Sequence, residues 1–144
     1  SMMKLSVSEI LQKASEMKDE AARINWLRQN NSVALETILR GAFDPSIKWL
    51  LPEGNPPYKP NDLVDQHHRL FTEIRKMYLF IEGGNPDLKQ LRRESLFVEI
   101  LEAVDPEDAK LLLAVKEKHL PYPGVTPDVI RKAFPGIFQE EVKE

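Results

Sequence analysis

The sequence predicts an all-α fold, a single domain of about six helices. Three observations carry this. Apolar residues recur at steps of three and four along most of the chain. Cap-type residues stand directly before those stripes at Ser6, Ser32, Asp44, Asp105 and Thr126. No segment alternates apolar and polar residues in the way a half-buried strand requires.

Ser1 and Met2 ahead of Met3 read as a cloning scar before a native start, and the domain is placed at 4–138. Ser6 followed three residues later by Glu9 is a capping-box pair. Ile10, Ala14, Met17, Ala21 and Ile24 then form one stripe, with a break allowed near Asp19, which can start a second helix. Ser32 caps a short helix carrying Leu35, Ile38, Leu39 and Ala42. Asp44 and Pro45 read as the cap and first position of another, holding Ile47, Trp49 and Leu50. The next helix is expected over 63–81, stopped by Gly83 and Gly84. Leu88, Leu91, Ser95, Val98, Leu101 and Val104 begin another. With Leu96, Phe97 and Ile100 it is apolar nearly all round, so it is expected to be the central helix. Asp105 and Pro106 start the helix of Ala109, Leu112, Leu113 and Val115, and Thr126, Pro127 and Asp128 start the last. From Gln139 the tail at 139–144 is acidic and expected to fray.

Between these helices, residues 52–62 hold four of the chain's eleven prolines: Pro52, Pro56, Pro57 and Pro60. No helix or central strand tolerates that density, so the segment is an extended loop with polyproline character. Loops of this length inside a compact domain are often functional. Two readings stand: a strap across the core pinned by Tyr58, or a rigid surface presented to a partner. Trp49, Pro56, Pro57, Tyr58 and Lys59 are the residues of that surface.

Composition narrows the chemistry. Hydrophobic residues make up 42% of the 144, enough to offset the ordering entropy of a folded domain. Cysteine is absent, which excludes disulfides, thiolate zinc sites and cysteine nucleophiles. The formal charge of -3 gives no global basic field for bulk nucleic-acid binding. No apolar run reaches the roughly 20 residues of a membrane span.

Individual motifs yield little catalysis. His67 and His68 diverge by about 100° on a helix and cannot share one metal, and His119 lies far along the chain. No nucleophile elbow, phosphate-binding glycine loop or zinc-helix signature occurs. No cofactor or metal is therefore expected, and no catalysis. Lys89, Arg92 and Arg93 are the best basic cluster and the candidate phosphate contacts. The same residues also read as a charged rim paired with nearby acids.

Longer strings are more specific. GAFDPSIKWLLPEGNPPYKP at 41–60, YLFIEGGNP at 78–86, LRRESLF at 91–97, DPEDAKLLLAVK at 105–116 and AFPG at 133–136 resemble a family of small uncharacterised proteins of large myoviruses, notably phages of marine cyanobacteria. The resemblance implies a phage origin and a place in the cytoplasm of an infected bacterium. It assigns no catalytic residue. The combined expectation is a phage accessory protein that acts by binding another protein, of phage or host, without a membrane. The alternative is a nucleic-acid-associated module for phage transcription or replication, using the small basic patch and binding weakly.

Overall fold

Local capping chemistry sets the N-terminal half. The structure, a computed structural model, describes residues 4–139. Residues 1–3, read above as a scar and start, and the acidic tail beyond Gln139 lie outside the described residues. Ser6 and Glu9 form the capping box of α1 (Val7–Glu16): Glu9 N–H donates to Ser6 Oγ at 3.2 Å, and Ser6 N–H donates to Glu9 Oε1 at 3.0 Å. The chain breaks after Met17. Asp19 then caps α2 (Glu20–Gln29), its carboxylate accepting from Ala21 N–H at 3.3 Å. This break turns the expected stripe aside, and Ala21 is exposed. The Arg23 guanidinium bonds the carbonyls of Ala14 and Met17, closing the open C-terminal end of α1. The Trp26 indole reaches back to the Ile10 carbonyl at 2.9 Å. Ser32 caps α3 (Val33–Phe43) as expected, accepting from Leu35 N–H at 3.0 Å.

The helix expected at Asp44 and Pro45 does not form. Asp44 is buried, and its Oδ1 accepts from the N–H and hydroxyl of Ser46 at 2.9 and 2.7 Å. Its Oδ2 accepts from Gln139 N–H at 2.9 Å, so the first residue of the tail is tied to the domain. The Ser46 N–H bond alone has the form of a helix cap, but the serine hydroxyl and the distant Gln139 N–H take up the same carboxylate and hold Asp44 in an isolated turn. The chain runs extended instead. Trp49 faces Ile81 in an isolated antiparallel bridge, with Leu50 N–H donating to the Phe80 carbonyl and Glu82 N–H to the Lys48 carbonyl, both at 2.8 Å.

The helix expected over 63–81 is also different. Leu63 and Val64 are 66% and 81% exposed, and Asp65 has φ +60, which interrupts a right-handed helix. Only α4 (Arg69–Glu73) is α-helical. It passes into a 3-10 helix, Ile74–Phe80. Ile74, Met77 and Phe80, its buried residues, are spaced by three. Three residues per turn keeps all three on one face, where an α-helix would let them drift. Gly84 then permits a close backbone turn, since a Cβ there would lie 1.8 Å from the Tyr78 carbonyl oxygen.

Three further helices complete the fold: α5 (Gln90–Ala103), α6 (Pro106–Lys116) and α7 (Pro127–Ala133). Asp105 and Thr126 cap the last two, each followed by proline at the first position. The fold is all-α, seven α-helices and one 3-10 helix among the described residues, with no strand. The expected central helix is corrected. In α5 only Arg93, Phe97, Ile100 and Leu101 are buried, Leu96 is half-buried and Leu91 is 84% exposed. The centre is α6, which packs against α1, α3 and α5 and buries Ala109, Leu111, Leu112, Leu113 and Val115. Its mixed face, poor in amphipathic contrast, is what a helix covered on several sides requires. The buried apolar residues of all elements form one cluster. No helix among the described residues is long and apolar enough to cross a membrane.

Candidate functional site: a slot beneath the proline-rich strap

Residues 52–62 carry no helix or strand and cross the C-terminal ends of α5 and α6. Polar groups of the two helices hold the segment along its length. Gln90 Nε2 donates to the Leu50 carbonyl just ahead of it at 2.9 Å. Lys116 Nζ donates to the Pro52 carbonyl at 3.0 Å, and Gly54 N–H donates to Glu117 Oε2 at 3.2 Å. Lys59 N–H donates to Glu102 Oε2 at 2.7 Å, and Asn61 Nδ2 donates to the Ala103 carbonyl at 2.8 Å. The strap is thus fastened mainly through its own backbone, by one carbonyl and the N–H groups of its non-proline residues Gly54 and Lys59, with the Asn61 side chain added.

Lys116 is the key fastener. Its side chain is 2% exposed, and Nζ also meets Glu117 Oε2 at 2.7 Å. A cation in the last turn complements the helix dipole, and burial is tolerated because the charge is paired and hydrogen-bonded. The bond from Lys116, helped by the Gly54 N–H, holds the Glu117 carboxyl below its usual range.

Between the strap and α5 lies a cavity of about 310 Å³. Leu51, Pro52, Pro56, Phe97 and Val98 give it an apolar wall, and Lys116 also lines it. Glu53, Asn55 and Glu94 supply polar groups at the same opening. The volume sits at the small end of the range for ligand pockets. It suits one large side chain better than a dinucleotide or similar cofactor.

The sequence-predicted surface is divided by the fold. Pro56 lines the slot, Pro57 and Lys59 are exposed, and Tyr58 is half-buried against the core. Trp49 turns inward instead. Its indole donates to the Gly41 carbonyl at 2.9 Å, and a Cβ on residue 41 would lie 2.7 Å from the ring. Trp49 therefore belongs to the packing between α3 and α6 rather than to an exposed face. Lys116, Glu117, Phe97 and Val98 were not readable as site residues. Lys116 looks in the sequence like an ordinary end-of-helix cation, and nothing local signals its burial.

The basic cluster does not assemble. Arg93 is 5% exposed, and its guanidinium is spent on Leu79 O at 2.9 Å, Gln90 Oε1 at 2.6 Å, and Asn85 O and Leu88 O at 3.2 Å each. It clamps the turn before α5 and cannot reach a phosphate, which corrects its expected role. Arg92 lies 3.6 Å from Glu99, and Lys89 stands exposed at the N-cap of α5.

A second cleft opens at the N-terminal end of α6, with Glu9, His67, Asp105, Glu107 and Tyr122 among its lining residues. His67 Nδ1 is 3.3 Å from Glu9 Oε1. Most of its acids act as caps: Glu9 serves the backbone of Ser6, and Asp105 that of Glu107. Asp108 lies behind them, fully buried, with Oδ1 accepting from Ser8 N–H at 2.9 Å and Oδ2 without a hydrogen bond. Burial raises its pKa to about 6 against the opposing Ser8 bonds. His119 lines a different surface cleft from His67 and His68. No group of three or more His, Cys, Asp or Glu among the described residues could hold a metal ion.

The sequence matches the family of unknown function DUF6433 over residues 10–122. The match takes in the strap, the slot and both helices that hold them, and the chain belongs to that family. No curated protein matches the chain.

Proposed function

We propose that this DUF6433 protein is a non-catalytic phage accessory protein that engages another protein through the outer face of its strap. One observation carries the reading. The strap is fastened to α5 and α6 from its inner side, while Pro57, Lys59 and Pro60 stay exposed. A segment rich in proline and already fixed loses little entropy on binding, so it can present one shape to a partner at low cost. The strings at 41–60, 78–86, 91–97 and 105–116, which resemble small proteins of large myoviruses, support a phage origin and a role in the cytoplasm of the infected bacterium. The partner is then a phage or host protein present during infection.

The test replaces Pro56, Pro57 and Pro60 together by glycine. Partner capture from infected cells is expected to fall at least about tenfold, while the melting temperature drops by only a few degrees. A large loss of thermal stability with capture intact would make the segment a structural strap alone.

A further inference from the structure

We infer that the slot between strap and α5 is the anchor point of this surface, and that it takes one large apolar side chain of an extended partner segment with a lysine or arginine beside it. The inference rests on the binding role proposed above and specifies its ligand.

Size and lining set the apolar part. Leu51, Pro52, Pro56, Phe97 and Val98 line an open cavity of about 310 Å³, and a single aromatic or aliphatic anchor that fills such an apolar slot and expels its water contributes strongly to an interface. Charge sets the rest. Glu53 is exposed and has no ion pair or hydrogen bond among the described residues. Glu94 meets only the Gln90 side-chain amide, at 3.0 Å. Lys116 is the sole cation lining the slot, and Glu117 already neutralises it at 2.7 Å. The opening therefore carries two uncompensated carboxylates. An acidic segment is repelled there and a basic neighbour is attracted. Asn55, exposed at the same opening and without a hydrogen bond among the described residues, offers a donor and an acceptor to the segment's backbone.

The probe is the capped hexapeptide acetyl-Ala-Ala-Leu-Lys-Ala-Ala-amide, titrated into the full-length chain and followed by amide chemical shifts. Shifts are expected at Gly54, Asn55, Ser95 and Val98, with binding that weakens as salt rises. Exchanging the peptide's leucine for alanine, or its lysine for glutamate, should each weaken binding at least about tenfold. In the protein, Val98→Trp fills the slot and should abolish the shifts. The double change Glu53→Gln and Glu94→Gln leaves the core alone and should remove the salt dependence and the preference for lysine. Equal binding of the acidic peptide, or shifts confined to other surfaces, would overturn the inference. Capture of the infected-cell partner separates the two levels. If the triple glycine variant loses the partner while Val98→Trp and the glutamine pair keep it, the strap binds but the slot is not its anchor. If all three variants keep it, the binding role fails as well.

Discussion

Helix α6 carries a buried charged residue near each end, and the two ends are built differently. At the C-terminal end the Lys116 ammonium has a carboxylate partner at 2.7 Å and a carbonyl acceptor at 3.0 Å. At the N-terminal end one oxygen of Asp108 accepts from Ser8, and the other has no partner. The first arrangement fastens a strap and forms a slot. The second joins α1 to α6 at the expense of a carboxyl that resists ionisation. Burying a charged group is tolerable when its hydrogen-bonding capacity is met and costly when it is not. The satisfied end can therefore be rigid enough to present a binding surface, while the unsatisfied end makes stability depend on pH.

The contrast can be broken from the middle first. Leu112 is 1% exposed in the centre of α6, and Leu112→Ala should cost about 2–5 kcal/mol and loosen both ends together, read by chemical denaturation. At the C-terminal end Lys116→Met keeps the aliphatic stem but removes both bonds of the ammonium. A loss of about 1–3 kcal/mol is expected, with faster amide exchange at Gly54.

At the N-terminal end the effect should have the opposite sign above neutrality. Burial raises the Asp108 pKa from 3.8 to about 6, so the folded protein holds this proton more tightly than the unfolded chain. Its contribution to stability is complete below about pH 4 and is lost as pH rises from about 4 through about 6, by on the order of 3 kcal/mol. The neighbouring acids Asp105 and Glu9 push in the same direction. Asp108→Asn should therefore gain stability relative to wild type as pH rises from 4 to 7. A constant difference across that range would mean that Asp108 ionises normally in the fold. The smallest effect belongs to Glu53→Gln, which should leave the melting temperature unchanged, since no ion pair is lost.

How far the fold was legible depends on where each residue's partner lies. Asp44 and Asp105 show this most clearly, because both stand before proline in nearly identical settings. Asp105 caps its helix through Glu107 N–H, two residues away. Asp44 makes the same bond, to Ser46 N–H two residues on, but the Ser46 hydroxyl and Gln139 N–H, the latter 95 residues distant, also hold its carboxylate, and no helix follows. The capping box at Ser6, the caps at Ser32 and Thr126, and the proline-dense loop were readable because their chemistry is local. The 3-10 turn was masked because spacings of three and four overlap over one short stretch. The slot needs residues from the strap, α5 and α6, and Arg93 became a clamp only because four acceptors from the 79–90 turn converge on it. Neither meeting has a signature in sequence spacing.

The central claim is that the strap end of α6, and not its N-terminal end, contacts the partner. The most direct measurement is site-specific photo-crosslinking in infected cells, with a photoreactive phenylalanine analogue placed at Pro57 or Lys59 on the strap, or at Gln12 beside the N-terminal cleft. One defined protein should crosslink from both strap positions and none from Gln12. A partner that crosslinks from Gln12 and from neither strap position would contradict the claim.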